Sequence, residues 1–217
     1  MALALGESFF PSPVQQQVID APAREILFLG GPGSGKSTAL AALAIHSHRR
    51  SLIVVPDREV LGYARNLVRL MLLGSDREWM REGTHNFHGK RKGDPIIDVR
   101  VFNYDPEVSN YHPLNGCEYD FIGIERGADL SEQQFGYLGA HLRSTDRPQA
   151  LKMVLNCDLA PDKVPEWMKR RWAEWLPEGD GKQRPYGIVV GGRTVIKASL
   201  GDNPYLDTQR RDMLASS

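Results

Sequence analysis

Gly30-Gly31-Pro32-Gly33-Ser34-Gly35-Lys36-Ser37 is the strongest chemical signal in the chain. It matches G-x-x-x-x-G-K-[ST] at every fixed position. It follows the apolar run Glu25–Leu29 (EILFL) and precedes the helix-forming run Ser37–Ala44 (STALAALA), the strand-to-helix setting this pattern needs. Glycines let such a loop curl so that backbone N–H groups point inward, and the next helix offers its positive end to an anion. The pattern therefore predicts a phosphate cradle over Gly31, Pro32, Gly33, Ser34, Gly35, Lys36, Ser37 and Thr38, suited to ATP or ADP. Lys36 is expected at the β- and γ-phosphates and the Ser37 hydroxyl on Mg²⁺. A metal held this way also needs an acid at the end of a neighbouring strand. Tyr119-Asp120-Phe121-Ile122-Gly123-Ile124-Glu125 supplies one, with Glu125 as the carboxylate that holds the metal through water.

Around this loop the chain alternates strand and helix patterns. Ser51–Val55 reads as a strand closed by Pro56. Arg58–Leu73 carries Leu61, Ala64, Leu67, Val68, Met71 and Leu72 at helical spacing. Strand, helix, strand, helix is the grammar of a parallel sheet with crossover helices. Gly74–Pro95 is polar and weakly periodic and reads as a long surface excursion. Ile96–Phe102 reads as a strand, and Asn103–Glu118 as loop or short hairpin. Tyr119–Ile124 is a buried strand. Ser131 caps a helix over Ser131–Leu142, Leu151–Leu155 is a strand, and Val164–Leu176 a Trp- and Arg-rich helix. Gly187–Val190 and Thr194–Ala198, joined at Gly191-Gly192, read as a β-hairpin.

The 217 residues suit one large domain or a domain with a small appendage. Lys+Arg and Asp+Glu are both 27, so overall charge makes no case for a nucleic-acid binder. Two cysteines, Cys117 and Cys157, build neither a disulfide framework nor a four-cysteine zinc site, and suggest a reducing compartment. No apolar run is long enough to span a membrane, and the N-terminus lacks a signal-peptide pattern. His85, His88 and the basic triplet Lys90-Arg91-Lys92 are weak for zinc. They could touch DNA phosphates or simply form a solvated loop.

The chain resembles the ATPase domain of the large terminase subunit, the viral motor that pumps DNA into a capsid. Pro11-Ser12-Pro13-Val14-Gln15 resembles that family's upstream glutamine motif, Gly30–Ser37 its Walker A loop, and Asn115–Glu125 its Walker B approach. Ala128–Phe135 with Leu142-Arg143-Ser144 resembles the helix that follows, and Leu155-Asn156 falls at the coupling motif. Trp167–Trp172 and Gly201–Leu206 resemble the stretch that closes the motor domain. The resemblance implies an α/β P-loop NTPase fold of the ASCE type: a mainly parallel sheet flanked by helices, with a small C-terminal hairpin or lid region. It divides the chain into an ATPase core over 1–180 and a hairpin and tail over 181–217, with no residues left for the family's nuclease domain. It makes Gln15 the adenine reader and adds Asn156 to the nucleotide site. As partners it implies double-stranded DNA, a capsid portal and a small terminase subunit. It further implies a ring on the portal but a monomer alone, all within the host cytoplasm.

Two departures bear on catalysis. The family pairs two acids at the end of the Walker B strand, whereas this chain has Glu125-Arg126. Where the family has an arginine finger, this chain has Asn115. A guanidinium cannot take a proton from water, so Arg126 at the catalytic position is expected to favour bound ATP and slow hydrolysis. Glu125 serving twice, or Asp129 or Glu132, are the substitutes in view. The other readings left open are a non-hydrolysing nucleotide-sensing assembly module and a helicase-like P-loop NTPase outside packaging.

Overall fold

The computed structural model describes residues 10–73, 79–82, 86–89, 95–102, 104, 113–144, 151–158, 160, 163–176 and 183–203. Strands β1 (Glu25–Leu29), β2 (Arg50–Val55), β5 (Ile96–Val101), β6 (Phe121–Ile124), β7 (Lys152–Cys157) and β8 (Arg193–Lys197) run parallel. With β3 (Trp79–Glu82) and β4 (Asn86–Gly89), added antiparallel at one edge, they form an eight-stranded sheet in the order β3-β4-β5-β2-β6-β7-β1-β8. Thus β7 is wedged between the P-loop strand β1 and the Glu125 strand β6, the ASCE arrangement.

Helices cover both faces, which is why the central strands are mainly apolar, with Lys152 and Asn156 of β7 as buried polar exceptions. Alternation divides them. Ile26, Phe28, Ile53, Val55, Phe121 and Val154 pack with α1 (Pro13–Asp20), α2 (Lys36–Ala42) and α3 (Arg58–Leu73). Leu27, Leu52, Val54, Ile122, Met153 and Leu155 face α4 (Glu132–His141) and α5 (Glu166–Arg171), whose Phe135, Leu138, Trp167 and Met168 fill that side. Ser12 and Ser131 cap α1 and α4 through reciprocal Ser–Gln capping boxes.

The structure departs from the sequence expectations in four places. The 74–95 excursion contains β3 and β4, which extend the sheet because β5 offers them an open edge. The helix expected over 164–176 stops at Arg171. Trp172, Trp175 and Leu176 are instead buried by turns, and Pro177 follows. The helix after the P-loop passes from α2 into a π turn over Leu43–Ser47. The C-terminal hairpin is reduced to a tight turn: Gly191 (φ 56°) and Gly192 (φ 76°) close a single antiparallel bridge between Val190 and Arg193. Its second arm, β8, pairs along its length with β1, so this part of 181–217 is built into the core sheet.

Candidate functional site: a phosphate cradle at the carboxyl edge of the sheet

β1, β6 and β7 all end at one edge, where open α/β sheets bind ligands. Gly30 opens the loop there, its N–H donating to Cys157 O at 3.1 Å. A side chain on Gly30 would meet Ala198 O at 2.8 Å, so only glycine lets the loop pass beneath the C-terminal segment. Gly35 has φ +85°, and a Cβ there would lie 2.6 Å from Gln15 Nε2. The loop is fastened from both sides. Gln15 Nε2 donates to Gly35 O (2.9 Å) and Asn203 Nδ2 to Gly33 O (2.6 Å). Within it, the Ser34 hydroxyl donates to Gly31 O at 2.8 Å. Pro32 and Gly33 are exposed, while Gly31, Ser37 and Thr38 are half-buried at the mouth.

Lys36 is buried, and its ammonium is folded onto the loop. It donates to Gly30 O (2.6 Å), Gly31 O (2.9 Å) and Ser34 Oγ (3.2 Å), and lies 2.6 Å from Asp158 Oδ1. A phosphate must compete for that cation. On the other side, Glu125 is buried and in hydrogen-bond contact with Asn156 Nδ2 (3.1 Å) and with the Ser37 hydroxyl. Burial pushes its carboxyl pKa up. The bonds from Asn156 and Ser37 and the charge of Lys36 oppose the rise, and Asp158 adds to it. A buried carboxylate touching a hydroxyl is a hard-oxygen donor pair that suits Mg²⁺, which keeps most of its waters and takes one or two protein ligands. Asn156 Oδ1 is buried without a hydrogen-bond partner, a further sign of an acceptor shaped for something not in the protein.

The structure thus brings together Lys36, Ser37, Glu125 and Asn156 around the loop. Gln15 touches the loop too, but its Oε1 accepts from Ser12 N–H (2.8 Å) and its Nε2 holds Gly35. Its amide is buried and engaged at both ends. Arg126 is held elsewhere, its guanidinium 3.2 Å from Asp57 Oδ2 and 2.8 Å from Asp129 Oδ2, on the β2 side of β6. Its backbone is left-handed (φ 51°), unusual for a residue with a side chain. Asn115 is exposed in the turn over 113–116. Glu132 pairs with Arg170 at 2.8 Å. Sequence reasoning misses two site residues, Asp158 and Asn203. A strand assignment carried two residues past Leu155 would place Asp158 at the carboxyl edge. Lys90, Arg91 and Lys92 lie outside the described residues, as do Pro204, Tyr205 and Leu206.

No protein-family model matches the sequence, and no curated protein sequence does. Solved structures match the fold. The large terminase from a thermophilic bacteriophage matches with a TM-score of 0.67 at 14% identity, over 94% of this chain and 50% of that one. The same terminase in complex with ADP matches with a TM-score of 0.64 at 15% identity, over 93% and 49%. The N-terminal domain of the DNA packaging ATPase from bacteriophage phi29 matches with a TM-score of 0.53 at 11% identity, over 88% and 97%. The chain spans about half the length of the thermophilic phage terminase. It therefore has the P-loop ATPase fold found in phage large terminases and in the phi29 DNA packaging ATPase.

Proposed function

We propose that the chain is an ATP-binding motor domain that drives double-stranded DNA into a viral capsid. One observation carries the reading: a complete P-loop whose lysine, hydroxyl and strand-end carboxylate converge in a fold shared with phage packaging ATPases. The thermophilic phage terminase has been captured with ADP and with ATP-gamma-S, which supports a nucleotide here. In this reading Gly31–Thr38 wraps the phosphates and Lys36 leaves Asp158 to pair with them. Ser37, and Glu125 through water, would hold Mg²⁺, which would neutralise phosphate charge. Asn156 keeps Glu125 oriented through its 3.1 Å bond. Gln15, its amide engaged by Ser12 and Gly35, holds the loop rather than the base.

The partners follow from the same reading: DNA, a capsid portal and a small terminase subunit, met in the host cytoplasm. Among the described residues no helix is long and apolar enough to cross a membrane. The motor is a monomer alone and a ring on the portal, with slow turnover until a neighbour completes each site. Asn115, exposed on its turn, offers no cation to that neighbour. A second reading, a module that senses ATP without cleaving it, is favoured by Arg126 standing where an acid is usual. Calorimetric titration with Mg-ATP, followed by phosphate release with and without portal-bearing capsids and DNA, separates the two. Binding with portal-stimulated release fits the motor, binding without release fits the sensor, and no binding refutes both.

A further inference from the structure

Every second residue of β7 and its continuation, Val154 apart, does polar work on the helix face that carries α1 and α2. Lys152 reaches α1, Asn156 holds Glu125, and Asp158 takes Lys36. Asp158 is the acid paired with the phosphate lysine, at 2.6 Å. It is about half exposed, so it is open to solvent as well as to the loop. Its charge adds to the rise of the Glu125 pKa, so the two carboxylates are near enough to interact. Asn156 Oδ1, two residues before it on the same face, is a buried acceptor without a partner. The residue that follows Glu125 is Arg126, and its guanidinium is committed to Asp57 and Asp129.

We propose that Asp158 is the carboxylate that orients the attacking water in ATP hydrolysis, a task for which the Glu125-Arg126 pair supplies no second acid. The inference rests on the nucleotide-binding reading above. Asp158 holds the Lys36 ammonium at 2.6 Å. Once phosphates claim that ammonium, the Asp158 carboxylate is released, still at the phosphate end of the loop, as an acceptor for water. The water oxygen then bonds to the γ-phosphorus. The bond from that phosphorus to the β,γ-bridging oxygen breaks, with its electron pair staying on ADP. The proton of the water passes to Asp158 and leaves with the phosphate.

A purely structural Asp158, serving only to park Lys36, makes a different prediction. The test is Asp158→Asn, with Asp158→Glu as the conservative control. Two quantities are read: calorimetric affinity for a non-hydrolysable ATP analogue with Mg²⁺, and single-turnover ATP cleavage with protein in excess. Losing a half-exposed ion pair that competes for Lys36 should tighten analogue binding about two- to fivefold. Losing the water-orienting acid should slow cleavage about a hundredfold or more, with partial recovery in Asp158→Glu. Asp158→Asn that binds the analogue but cleaves within about threefold of the parent overturns the proposal and leaves nucleotide binding intact. A parent that binds the analogue but cleaves no ATP overturns it equally. A parent that binds no nucleotide overturns the broader reading first.

Discussion

Lys152 opens β7 in the middle of the sheet, buried, with its ammonium donating to Val18 O at 3.2 Å and Ile19 O at 2.7 Å near the end of α1. Burial pushes its pKa from 10.5 down to about 8, with Asp20 pulling the other way. The folded protein therefore releases this proton near pH 8 and the unfolded chain near 10.5. Between those values the unfolded chain binds more protons, so stability rises with pH. The full gap is worth a ceiling of about 3 kcal/mol. A second group bounds the window. Burial, and then Asp98, push the Tyr119 hydroxyl above its ordinary value of 10.0, so above that pH the folded state holds the extra proton and stability falls. The expected profile climbs from about pH 8 to 10, whereas at lower pH the raised Glu125 carboxyl makes stability fall as pH rises above its ordinary 4.5. Urea unfolding at half-unit pH intervals reads it, with Lys152→Met as the comparison that lacks the titrating group. A parent profile flat across that window, or the same slope in Lys152→Met, refutes the reasoning.

Lys36→Ala removes the cation facing the phosphates and should weaken ATP binding on the order of a hundredfold by calorimetry. Glu125→Gln removes a buried charge, so the nucleotide-free protein should melt at a higher temperature while the Mg²⁺-dependence of ATP affinity disappears; a lower melting temperature would mean the carboxylate is not strained by burial. Gln15→Ala deletes one buried bond to the loop, and ATP and GTP affinities should fall together by about 1 kcal/mol. A loss confined to ATP would instead assign Gln15 to the base. Arg126→Gly relieves a left-handed backbone but loses two exposed ion pairs, so unfolding free energy should change by less than about 1 kcal/mol. Unchanged ATP affinity in that variant fits a guanidinium committed to Asp57 and Asp129, and weakened affinity would place it on the phosphate.

The P-loop, the central strands and α3 are legible in the sequence because each rests on local signals. These are a fixed residue spacing, short β-branched runs and a sixteen-residue helical period over Arg58–Leu73. The capping boxes at Ser12 and Ser131 are local too, though only the serine of the second enters the sequence reading. Tertiary pairings carry no such mark. Nothing in the residues near Trp79 or Asn86 announces that β5 has an edge to extend. Nothing near Thr194 says that β8 pairs with β1 rather than with Gly187–Val190. The site divides in the same way. Glu125 stands out because it ends an apolar strand. Asp158 does not, because its partner, Lys36, lies far away in sequence and meets it only once β7 sits beside β1. Position after Glu125 puts Arg126 on the phosphate, whereas its left-handed backbone and two acidic neighbours place the guanidinium on the β2 side.

The strand order also fixes when the site can come into being. Among the described residues β1 is the first strand synthesised, yet both of its neighbours, β7 and β8, are the last two. A chain emerging from a ribosome carries Gly30–Ser37 early, but with both edges of β1 unpaired and neither Asn156 nor Asn203 in existence. β3, β4 and β5 can pair in turn, but β1 must wait for partners made long after it, a non-local assembly of the slow-folding kind. Nucleotide is therefore useless as a template for the nascent protein and can reward only the finished sheet. A limited-proteolysis cut that frees β8 should erase ATP affinity while leaving every residue of the P-loop in place.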